Sequence, residues 1–109
     1  MGQLIAHSFK SGLAHELGVP LVAGSDAGSQ GVDHGVALID EMFHFLDAGV
    51  PMAAVLRSAT SRPRALWDVP SANIAPGNRA DIVLLEGSPF DAPPALRRAK
   101  AVVRGAVMA

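Results

Sequence analysis

The strongest pattern of apolar and polar positions lies between Val36 and Leu46. Val36, Ile39, Phe43 and Leu46 recur at helical spacing, and Leu38, Met42 and Phe45 widen the stripe. The spacing predicts a helix over 33–48, with Asp33 as its N-cap and Gly49 as its stop. A leading helix is expected over 3–17, because Leu4, Ile5, Leu13, Ala14 and Leu17 supply apolar positions and Gly18 follows as a C′ residue. Gly12 weakens its middle. Pro51 suits the first turn of a further helix to about Ser58, and Thr60 or Ser61 can cap a short one through Trp67.

Two other patterns are extended in character. Val19–Ala23 is a continuous apolar run of strand length, which suggests a strand covered on both faces, as in a parallel sheet. After Asp68 the chain changes: 69–78 is dense in turn formers. Residues 80–86 then read as a strand, 87–94 as a loop, 95–99 as a short helix and 101–105 as a last strand, with Val107 and Met108 extending it. The expected organisation is therefore a strand-and-helix part over 1–68 and a small β part over 69–109.

Composition narrows the class. Of the 109 residues, 50% are hydrophobic and 17% charged, so the chain can bury a core. A net charge of −1 leaves no electrostatic footprint for nucleic acid and no polybasic patch for a membrane surface. Arg97, Arg98 and Lys100 are read as a solvated helix face. The absence of cysteine excludes disulfides and thiolate metal sites. No apolar stretch reaches the roughly 20 residues that span a bilayer, and no segment has the form of a signal peptide. The expectation is a soluble, cytoplasmic chain.

Candidate chemistry centres on Asp26. The stretch Gly24-Ser25-Asp26-Ala27-Gly28 follows the apolar run and presents a carboxylate between glycines that allow tight turning or close approach to a ligand. A carboxylate at a strand mouth suits a catalytic group or a metal ligand; it equally suits a turn residue bonding nearby amides. Ser25, Ser29 and Gln30 share the loop and can hydrogen-bond a substrate. His34 opens the next helix and can contact substrate or sit solvated there. His44 reads as a packed or surface histidine, and His7 and His15 lie in the leading helix away from the loop. Asp81 reads as a structural carboxylate and Trp67 as a core or hinge aromatic. A nucleophile elbow with Asp26 in place of serine is disfavoured, because residues 29–32 delay the helix that an elbow needs at once. Anion binding by the same loop is disfavoured because Asp26 and Asp33 would repel the anion.

Several segments, in order, resemble the C-terminal end of the amidohydrolase superfamily, closest to its imidazolonepropionase-like and prolidase-like members. They are residues 18–28, His34-Gly35, Ala48-Gly49-Val50-Pro51-Met52, Leu56-Arg57-Ser58-Ala59-Thr60, residues 74–85 and Val102-Val103-Arg104-Gly105. The resemblance implies an α/β fold: a C-terminal fragment of a (β/α)₈ TIM barrel, its last strand and flanking helices, followed by C-terminal strands of a small β-sandwich. It implies hydrolysis of C–N bonds by a water activated on a divalent metal, commonly zinc, with Asp26 as metal ligand and general base. The family's other ligands, among them a His-x-His pair, lie on earlier strands; His7, His15, His34 and His44 form no such pair. A catalytic metal takes about three protein ligands. The complete enzyme would act on a small-molecule substrate, and this chain is expected to work as a homo-oligomer or with an N-terminal partner chain. The alternative is a non-catalytic remnant that persists by association.

Overall fold

A computed structural model describes residues 10–24, 36–71 and 73–107. Residues 10–16 are helical (α1); α2 is Val36–Asp47, α3 Met52–Ala59 and α4 Ser61–Leu66. Strands β1 (Arg79–Leu85) and β2 (Ala99–Val107) follow, joined through a 3-10 turn at Pro93–Arg97. The chain divides into two compact units, residues 1–63 and 64–109.

In the first unit the helices end as the sequence anticipates. At the end of α1, Gly18 N–H donates to the His15 carbonyl at 3.0 Å and Val19 N–H to that of Ala14 at 2.9 Å. At the end of α2 the same pair recurs: Gly49 N–H donates to Leu46 and Val50 N–H to Phe45, both at 3.0 Å. Gly49 has φ +92°, a left-handed conformation that glycine adopts without a Cβ penalty. Val50, the residue after it, and Phe45 are both buried, at the two positions whose apolar side chains usually accompany a Schellman end. The core of this unit is Met42, Phe45, Val50 and Val55, with Ser58 also buried. The buried face of α2 therefore centres on the flanking positions of the predicted stripe, while Val36 is exposed.

Gly12 owes its place to packing. A Cβ built there would lie 2.5 Å from the Ala48 carbonyl oxygen. The glycine that weakens α1 by propensity is what lets α1 approach the end of α2.

The expected fold class is overturned. Val19–Gly24 is not a strand, and among the described residues there is no parallel sheet. The described strands form a two-stranded antiparallel sheet, and the described residues make helices plus one antiparallel strand pair rather than a (β/α)₈ TIM-barrel fragment carrying β-sandwich strands. The physical reason lies in backbone pairing. A buried parallel strand must place its N–H and C=O groups on neighbours at both edges. Val19–Ala23 has no such neighbours among the described residues. Within the run, Val19 N–H is used by the end of α1, and Ala23 N–H donates to the Ser58 carbonyl at 2.9 Å.

In the second unit, β1 and β2 pair from Arg79↔Val107 to Leu85↔Ala99, with register breaks between Ala80 and Ile82 and between Leu84 and Leu85. At the first break β2 carries an extra residue beside Gly105, whose φ is +79°. A glycine in left-handed geometry is what such a bulge requires. Among the described residues of this unit only Ala80, Ala95 and Leu96 are buried. Successive strand side chains point to opposite faces. Val83 and Leu84 are adjacent, and both are more than half exposed, at 57% and 54%. Every residue of β2 is exposed. The ribbon thus leaves all of β2 and the Val83–Leu84 step of β1 open to solvent. Arg97, Arg98 and Lys100 are exposed across the end of the 3-10 turn and the start of β2, so they do not share one helix face as the sequence suggested.

Candidate functional site

Asp26, Ser25, Ser29, Gln30 and His34 all lie outside the described residues. What the structure does place is the segment that leads to them. Leu21, Val22 and Ala23 are half-buried and Gly24 is exposed. The Ala23–Ser58 hydrogen bond fixes this segment to the last turn of α3. Ser58 is itself held: it is buried, and its hydroxyl donates to the Val55 carbonyl at 2.6 Å. The apolar run therefore has a structural task other than pairing in a sheet. It ties the chain to α3 directly ahead of the Ser25–Asp26 step.

His15 and His44 are the described histidines. His44 Nδ1 lies 3.9 Å from Glu41 Oε2, one turn back along α2, too far for a direct hydrogen bond. Among the described residues no three His, Asp or Glu side chains converge in a way that could hold a metal ion. These residues by themselves do not fit the zinc that the resemblance implies.

The most organised polar cluster surrounds Asp81. Its Oδ2 accepts hydrogen bonds from Arg64 Nη2 and Arg79 Nε, both at 2.8 Å, and its Oδ1 accepts the Gly105 N–H at 2.9 Å. Arg64 also donates from Nη1 to the Pro70 carbonyl at 2.8 Å. The Arg79 hydrogen bond, then the Gly105 N–H, with Arg64 adding to both, hold the Asp81 carboxyl down to about 2 from its ordinary 3.8. A carboxylate held anionic by two guanidiniums and an amide is a poor proton acceptor. The cluster ties the end of α4, the Pro70 turn and the β2 bulge together, and Asp81 is structural as its place in the sequence suggested. Arg64 was not visible as its partner, because a contact across 17 residues leaves no local pattern.

Asp68 shows the same kind of helix end with a different residue. Its N–H donates to the Ala65 carbonyl at 3.4 Å, and Val69 N–H donates to that of Arg64 at 2.8 Å. Asp68 has φ +53° where glycine is usual. Trp67, expected in a core or hinge, is 66% exposed.

Among the described residues no helix is long and apolar enough to cross a membrane. No protein-family model, no curated protein and no solved structure matches the chain.

Proposed function

We propose that this chain contributes Asp26 to an amidohydrolase-like, metal-dependent hydrolase of C–N bonds, and that the remaining metal ligands come from a partner polypeptide or a second copy. The observation that carries the reading is the ordered run of residues 18–28, 34–35, 48–52, 56–60, 74–85 and 102–105, which resembles the C-terminal end of that superfamily. A divalent metal, commonly zinc, would supply Lewis acidity and an activated water when bound. Asp26 suits its own part there, because a carboxylate is both a hard anionic ligand and a proton acceptor. The tether at Ala23–Ser58 supports the reading by anchoring the chain three residues ahead of Asp26. The substrate would be a small molecule carrying an amide or cyclic amide.

Dependence on a partner is supported by the exposed apolar side chains of the second unit. Leu66, Trp67, Ile74, Val83, Leu84, Val102 and Val107 are all more than half exposed. An isolated two-stranded ribbon is marginal in water, and this many exposed apolar side chains suit a surface that a partner covers. A second reading rests on that surface alone: a non-catalytic module that acts by association. Zinc analysis of the assembly isolated from its native cells separates the two. The hydrolase reading expects zinc in stoichiometric amount in that assembly and its loss in Asp26→Asn. An assembly whose metal content ignores Asp26→Asn, or which holds no metal, sinks the hydrolase reading and leaves the association module.

A further inference from the structure

Within the first unit, the end of α1, residues 18–21, α3 and the start of α4 enclose a cleft of about 120 Å³. Its polar side chains are His15 and Arg62, and its apolar wall is Val19, Pro20, Leu21 and Ala54. Among the described residues no carboxylate lines it. Arg62 is half-buried. No hydrogen bond or ion pair engages its guanidinium among the described residues, which contrasts with Arg64, two positions on, whose guanidinium donates to both Asp81 and Pro70. His15 is likewise half-buried, and its ring has no partner among the described residues.

A guanidinium drawn partly out of water without a counter-charge is costly, and a bound anion removes that cost. Its planar fork matches a carboxylate with two parallel N–H···O bonds. The His15 ring adds a further N–H donor. Val19, Pro20, Leu21 and Ala54 supply the apolar part of the lining, which gives a short aliphatic tail a place to rest. The cleft is smaller than the roughly 300–1,000 Å³ of sites for drug-sized ligands, so only a short molecule fits.

We propose that this cleft binds a short aliphatic carboxylate, with Arg62 pairing the carboxylate, His15 donating to it, and Leu21 and Ala54 covering the chain. The site uses none of the residues assigned to hydrolysis and stands independently of that reading.

The test is titration of the full chain with sodium butyrate, followed through the backbone amides of Gly18, Val19 and Ala54 by NMR at constant ionic strength. Sodium chloride and sodium phosphate serve as the other two arms. Saturable shifts with butyrate, weak or absent with phosphate and chloride, are expected. Arg62→Gln should weaken butyrate binding roughly tenfold or more, as befits loss of a charge-assisted pair. Should that variant fail to fold, Arg62→Lys carries the test, because it keeps the charge and loses the fork; several-fold weakening is expected. Shifts that do not saturate, equal shifts with chloride, tighter binding of phosphate than of butyrate, or unchanged affinity in the Arg62 variants would overturn the proposal.

Discussion

Asp81 accepts the backbone N–H of Gly105 at 2.9 Å, across a position where the β1–β2 ladder is interrupted. The carboxylate stands in for the ladder bond that the bulge removes, and Arg64 and Arg79 hold it charged. Below its own pKa the group would lose its two ion pairs.

This gives a signed pH dependence. The Asp81 pKa is lowered in the folded chain, to about 2 from 3.8, so its contribution to stability is complete above 3.8 and is lost as the pH falls through about 2. Asp81→Asn should lower the unfolding midpoint at pH 6. The gap between variant and parent should narrow as the pH is taken from 4 to 2. Parallel stability curves over that range would show that the cluster does not act through its charge.

Gly12→Ala sets two effects against each other. Propensity favours alanine in a helix by about 1 kcal/mol. The clash with the Ala48 carbonyl, 2.5 Å away, opposes it, and overpacking of this kind costs about 1–3 kcal/mol. The oxygen belongs to the backbone and cannot swing aside, so a net loss of stability is expected in urea titration. A rise in the urea midpoint would mean that α1 does not approach α2 so closely.

Asp68→Gly should stabilise the chain by about 0.5–1 kcal/mol, because it relieves left-handed strain at a residue with φ +53°. Gly49→Ala is the converse control: at φ +92° a Cβ meets no neighbour but is strained by the backbone, and a loss of about 1 kcal/mol is expected. Thermal unfolding of both variants checks the pair. Equal midpoints for parent and Asp68→Gly would argue that the carboxylate repays the strain locally.

The exposed ribbon predicts association. Sedimentation velocity should show species heavier than the monomer whose proportion rises with concentration, and Val102→Lys with Val103→Lys should shift the population to monomer. A parent chain that stays monomeric and binds no apolar dye would contradict the proposed partner surface.

Local structure was legible in the sequence where its cause is local. The end of α2 follows from Gly49 and the apolar pair that it brings together, and the strands at 79–85 and 99–107 follow from β-rich runs between turn formers. Val19–Ala23 was not legible, because continuous apolar character is shared by a strand in a sheet and by an extended segment resting beside a helix. Which of the two forms depends on whether other strands are present to pair with it. The Arg64–Asp81 pair and the Gly12–Ala48 approach were invisible for a related reason: each depends on residues far apart in the chain. The proposed site residues fall outside the described part, so the chemistry rests on sequence alone.

The hydrogen bond from Ala23 to Ser58 also sets a limit of reach. Asp26 follows Ala23 by three residues, and three trans peptide steps span at most roughly 11 Å between Cα atoms. In the proposed hydrolase, the groups that complete a site at Asp26 would therefore have to come within that reach of the C-terminal end of α3.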